Sequence, residues 1–197
     1  MTRGWRAVLL RQPTGAGEVA ADVVRLLTVA GIPIAAFGGS GSDAAMVALG
    51  SLATVLPRLL HLRAGIDLAF AVTATVATWS AVTELYVAVP WWDLPIHFAF
   101  AGLLALCATA VLTRAGALPD TDVAPRPRVA RVVVVGALGV ALGVVWELVE
   151  WFAKVFLDPA TYVGYQDTLG DLAIGGLGAA LAGLLPRNRV ESPRARG

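Results

Sequence analysis

The chain has 197 residues, 57% of them hydrophobic and only 15% charged, with a mean hydropathy of +0.74. A soluble domain is about half apolar and about a quarter charged, so this balance excludes an ordinary soluble globule and points to a membrane protein. The formal net charge of +1 offers none of the basic excess that nucleic-acid binding needs, and the single cysteine, Cys107, can form no intramolecular disulfide.

Residues 1–16 read as a cytoplasmic N-terminal tail. Arg3 and Arg6 make a charged start, but the apolar stretch Ala7 to Leu10 is too short for a cleaved signal peptide, and Arg11, Gln12 and Pro13 follow it. A spanning helix needs roughly 20 mostly apolar residues. Six stretches qualify as candidates: 19–37, 43–62, 66–87, 93–113, 129–152 and 168–185. The first is the weakest, with Asp22 and Arg25 near its start and Pro33 inside. Backbone groups in lipid must be satisfied within the segment, so these are helices rather than strands. The expected fold class is all-α: a polytopic bundle of six transmembrane helices over residues 17–186, followed by a basic tail at 187–197.

Basic residues orient this bundle. Arg3, Arg6 and Arg11 precede the first span; Arg58 and Arg63 lie near the second connection; Arg114, Arg126, Arg128 and Arg131 cluster at the fourth; Arg187, Arg189, Arg194 and Arg196 fill the tail. The first and third connections have no Lys or Arg, and the fifth has only Lys154. By the positive-inside rule this alternation puts both termini on the cytoplasmic side of a bacterial inner membrane. Pro119, Pro125 and Pro127, with Asp120 and Asp122, make 115–128 a flexible linker. Trp91, Trp92, Trp146, Trp151, Tyr86, Tyr162 and Tyr165 fall near the outer ends, as an interfacial aromatic belt requires.

Ionisable residues gather at those same outer ends, in WWDLPIHF (91–98), WELVEW (146–151) and DTLGDL (167–172). Asp93 and His97 are four apart and share a helix face. They suit a shared cation or proton; alternatively Asp93 is an N-cap, with Pro95 in the tolerated first turn. Glu147 and Glu150 also share a face, near a helix C-terminus where the macrodipole disfavours negative charge. Glu150 has Lys154 four residues on as an ordinary partner, while Glu147 has no local cation. Asp167 reads as an N-cap, and Asp171 lies one turn deeper among apolar neighbours. Glu84 stands near the outer end of the third span as a residue behind the cluster.

Small residues offer a way to bring these groups together. Gly139 and Gly143 continue into Glu147 at four-residue spacing, and Asp171 continues into Gly175, Ala179 and Gly183. Stripes of this kind let membrane helices approach closely. Clustered carboxylates then need compensation, from a divalent cation, from shared protons or from a cationic substrate. The metal-ligand candidates are Asp93, Glu147, Glu150, Asp167 and Asp171, an oxygen-rich set suited to Mg²⁺, Ca²⁺ or Mn²⁺; His97 would admit Zn²⁺. The catalytic candidates are His97, Glu147 and Asp171.

The ordered motifs Asp93-x-x-x-His97-Phe98, Trp146-Glu147-x-x-Glu150-Trp151 and Asp167-Thr168-x-x-Asp171-Leu172, with Gly178-Ala179 beyond, resemble the bacterial inner membrane protein YjdF family, a multipass family of unknown function. More distantly the order resembles VanZ-like membrane proteins, associated with glycopeptide resistance. Those carry Asp-x-x-x-His, a later Glu-x-x-Gln, and Asp-x-x-x-Asn followed by glycines. Here Glu150 stands where Gln would be and Gly175 where Asn would be.

Three functions are compatible with these residues. One is a cation-dependent enzyme acting on a lipid-linked or envelope substrate, with His97 as general acid or base. The second is a proton- or cation-coupled transporter. The third is a structural or partner-binding membrane protein in which the polar residues lock the last helices together. The partner common to all three is the lipid bilayer, and a homo-oligomer is compatible with so small a bundle.

Overall fold

A computed structural model describes residues 11–157 and 163–185. The expected basic tail at 187–197, most of the N-terminal tail, and Tyr162 lie outside the described residues. Among the described residues there are helices and no strand: α1 (Ala16–Gly38), α2 (Gly41–Ala53), α3 (Leu56–Leu59), α4 (Ala64–Val82), α5 (Leu85–Ala88), α6 (Asp93–Arg114), α7 (Pro127–Phe156) and α8 (Tyr165–Ala182). One 3-10 turn, Thr121–Val123, interrupts the linker between α6 and α7.

Four of these, α1, α4, α6 and α7, are long and apolar enough to cross a membrane. The expected span at 43–62 is broken instead of continuous. Pro57 has no N–H to give the carbonyl four residues back and its ring crowds that turn, so α2 stops at Ala53 and the chain resumes in the single turn of α3. The start of α2 is set by a capping box in which Ser40 and Asp43 each bond the other's backbone N–H. The helix expected to reach residue 87 ends at Val82, because Glu84 adopts a left-handed φ of 55° and the chain turns into α5. The last helix has 18 residues, but Gln166, Asp167 and Asp171 dilute its apolar character.

The helices form two groups. In the first, α1, α2 and α4 pack on one another; in the second, α8 lies between α6 and α7 and makes the most extensive contacts in the molecule. Phe70 and Ala74 of α4 pack with Cys107 of α6 in a buried cluster that joins the groups, and the Phe70 and Phe100 rings stand 5.3 Å apart. Ala105, Val135 and Ala179 form the core shared by α6, α7 and α8. Many large apolar side chains remain exposed, among them Leu26, Ile34, Val133, Val145 and Leu148. This outward apolar surface is what a bilayer would cover.

Small residues set the spacing within the second group. The Phe98 carbonyl and Cα occupy the volume that a Cβ on Gly178 would need, and a Cβ on Gly102 would stand 2.9 Å from the Gly178 oxygen. On the other side Gly139 faces Ala179, Gly136 faces Ala180, and Gly143 faces Leu172. The α7–α8 pairs run in opposite order along the two chains, whereas Leu94–Gly170 and Phe98–Gly178 run in the same order. So α8 is antiparallel to α7 and parallel to α6. This corrects the expected meeting of stripes in one respect. Ala179 and Gly183 do face α7, but Gly175 faces Ala101 and the His97 carbonyl of α6.

Candidate metal centre

The register just described brings the N-terminal turns of α6 and α8 beside the C-terminal part of α7. His97 Nε2 lies 3.4 Å from Asp93 Oδ1 and 4.0 Å from Asp171 Oδ2. One ligand atom from each of Asp93, His97 and Asp171 falls within 4.8 Å of the other two. Ligands about 2.1 Å from a tetrahedral ion stand roughly 3.4 Å apart, so a small inward movement of Asp171 would close this triad on a cation. Two carboxylates and an imidazole suit Mn²⁺ or Zn²⁺.

The capping alternatives for these acids do not hold. Trp92 is the cap residue of α6 and Gly164 that of α8, and neither helix start carries a side-chain cap. Asp93 and Asp167 therefore sit within the first turns instead of capping them. Lys154 donates to the Val163 carbonyl at 3.0 Å, so it is turned away from Glu150. Glu150 accepts instead from Trp146 Nε1 at 2.8 Å.

Glu147 and Asp171 are the buried acids of the cluster, 8% and 3% exposed. Glu147 Oε1 and Asp171 Oδ2 are both shut off from solvent without a hydrogen-bond partner. A buried polar atom left unpaired costs about 1–3 kcal/mol, more when it is charged. Glu147, Glu150 and Asp167 lie within electrostatic reach of the triad: Glu150 of Glu147, His97 and Asp93, and Asp167 of Asp93, Glu147 and His97. All six residues of the expected cluster thus share one end of the second helix group. Glu84 is exposed, at a left-handed turn.

A second buried polar cluster, at the opposite end of the molecule, escapes the sequence reading. Asp22 bonds Arg25 at 2.7 Å and also pairs with Arg58, while Arg25 pairs with Asp67. Arg25 Nε donates at 3.0 Å to the carbonyl of Thr54, at the break between α2 and α3. Arg58 also reaches the Arg11 carbonyl, and Arg11 bonds Glu18 at 2.8 Å. The available signal was the placement of Asp22, Arg25 and Asp67 near the ends of apolar runs on the basic side. Arg58 read only as a topology marker in a connection.

An all-helical chain with several membrane-length helices and a carboxylate-rich centre at one end is a polytopic membrane protein. Residues 23–190 match the family described as predicted membrane protein (DUF2238), and the chain belongs to that family. No curated protein and no solved structure matches the chain.

Proposed function

We propose that this membrane protein holds a divalent cation at its carboxylate end and uses it on a lipid-linked or envelope substrate. The observation that supports this best is the convergence of Asp93, His97 and Asp171, whose ligand atoms lie within 4.8 Å of one another. A cation there would polarise a phosphate or ester, or activate a bound water. His97 turns Nε2 toward both carboxylates, which suits a ligand better than a free acid or base. The test is turnover of phospholipid and lipid-linked precursors extracted from bacterial membranes, followed by mass spectrometry with Mn²⁺ and after chelation. Cation-dependent release of a headgroup by the wild type, lost in Asp171→Asn and Glu147→Gln variants that still insert and fold, is the expected result. Turnover indifferent to chelation and to both substitutions would contradict it. Failure of Glu147→Gln to insert would make that residue structural.

The same end of the molecule also suits a proton- or cation-coupled carrier, because one imidazole stands among five carboxyl groups on membrane helices. Liposome flux that follows a pH gradient would favour this second reading.

We read the chain as crossing a bacterial inner membrane six times, with α2–α3 as an interrupted second crossing and α8 as the sixth. Both termini are then cytoplasmic and the carboxylate end faces outward. Arg114 donates to the Leu60 carbonyl near Arg58, so basic residues from separate connections share one end. Cysteines placed at Gly116 and Val87 should label from opposite sides with an impermeant maleimide. The motif order further supports a YjdF-like place within the family. The VanZ-like pattern fits less well: a Cβ on Gly175 would already stand 3.1 Å from Ala101 Cβ, leaving little room for Asn.

A further inference from the structure

We propose that the start of α7 carries a headgroup site for an anionic phospholipid, formed by Arg126, Arg128 and Arg131. It lies at the opposite end of α7 from Glu147 and does not depend on the cation read at the carboxylate end.

An open cleft of about 430 Å³ is lined here by Arg126, Pro127, Arg128, Val129 and Arg131. Three permanent cations thus border one space. Arginine is suited to phosphate because its planar fork of N–H donors matches the phosphate oxygens. These cations are poorly matched from within the chain. Among the described residues, neither Arg126 nor Arg128 forms an ion pair, and Arg131 meets Asp122 only at 4.0 Å, beyond hydrogen-bond reach. Arg131 Nε has no hydrogen-bond partner at all. The neighbouring Asp120 accepts the Asp122 N–H at 2.9 Å, within the 3-10 turn. A phosphate group in the cleft would supply the missing negative charge and acceptors.

The backbone adds to the same field. α7 starts with Pro127 in its first turn and no side-chain cap, so its first N–H groups and the dipole of 30 residues favour an anion there. The wall is also firmly placed. A Cβ on Gly183 would stand 2.9 Å from the Arg131 carbonyl and 2.7 Å from Val132 Cα, so the end of α8 is pressed against this turn.

The apolar neighbours select a lipid over free phosphate. Val129 lines the cleft itself, and Val133 follows one turn on along the same face of α7. Both are exposed, at 56% and 62%. An apolar strip therefore leaves the arginines directly and runs into the span, as acyl chains attached to a bound headgroup would. Basic pockets at the cytoplasmic ends of membrane helices hold anionic headgroups by this combination, and this is the end read above as cytoplasmic.

The experiment takes the full chain in detergent with chelator, so that no lipid is held through a cation at the carboxylate end. Native mass spectrometry then counts bound phosphatidylglycerol, phosphatidylcholine or inorganic phosphate. One phosphatidylglycerol per wild-type chain, bound in preference to phosphatidylcholine and not displaced by inorganic phosphate, is the expected result. Each arginine near an anionic headgroup contributes roughly fivefold. Arg128→Gln should therefore weaken binding about fivefold and the triple Gln variant of Arg126, Arg128 and Arg131 about a hundredfold, while Lys154→Gln at the other end of α7 should change nothing. Equal binding of the two lipids would overturn the site, and so would phosphatidylglycerol binding that survives the triple substitution. Displacement by inorganic phosphate would overturn the lipid assignment. Arg128 is exposed, so its single substitution decides the proposal even if the triple variant fails to fold.

Discussion

The molecule has two buried polar clusters at opposite ends, and they are built on opposite principles. At the arginine end, Asp22 and Asp67 face Arg25 and Arg58, so two acids meet two permanent cations. At the other end, five carboxyl groups share one helix end with a single histidine, and two buried carboxylate oxygens have no hydrogen-bond partner. Burying charge is costly in both places, but only the first supplies its own compensation. The arginine end is balanced in charge, although Arg11 Nε and Arg58 Nε are also buried there without a hydrogen-bond partner. An unbalanced network requires something from outside the chain, and that is why the site is assigned to the carboxylate end.

Substitutions can break this contrast, and the largest effect belongs to the carboxylate end. Replacing Glu147 and Asp171 together by Gln and Asn should abolish cation binding outright. It should leave the folded state as stable as before or more so, since like charges are removed; equilibrium dialysis and thermal unfolding in detergent would show both. At the arginine end the sign reverses. Arg25→Ala strips Asp67 of its partner and the Thr54 carbonyl of its donor, and should cost about 3–5 kcal/mol in unfolding with cation affinity intact. A loss of cation affinity there would mean that the two ends are coupled. Gly178→Ala comes next. Its Cβ would enter the space of the Phe98 backbone, and overpacking of that kind costs about 1–3 kcal/mol. Because it wedges α6 from α8, it should also weaken the triad, whereas Gly38→Ala, with open space around it, should do neither. The smallest effect is expected at Glu84, whose left-handed backbone favours glycine. Glu84→Gly should raise stability by at most about 1 kcal/mol and leave cation binding unchanged.

The two clusters were unequally legible in the sequence. Acids at helix starts and ends, on one side of apolar runs, were enough to place Asp93, His97, Glu147, Glu150, Asp167 and Asp171 together. Spacing along one helix did not reveal which neighbour a residue would face, so Gly175 turned out to contact α6 and Lys154 to bond Val163. The arginine-end network was hidden for a related reason. Its members come from three separate helices, and a charged residue beside a connection reads first as a topology signal. Apolar runs likewise located α6 closely but missed the break at Pro57, where a local backbone constraint overrides hydropathy.

The central claim is that one cluster binds a cation and the other does not. The direct test is the thermal unfolding of three proteins with and without Mn²⁺: wild type, the Glu147→Gln/Asp171→Asn variant, and Arg25→Ala. Ligand binding to the folded state adds about 2.7 kcal/mol at a hundredfold excess over Kd. Wild type and Arg25→Ala should both gain stability from Mn²⁺, from different starting points, and the double variant should gain none. An equal gain in all three, or no gain in the wild type, would contradict the account.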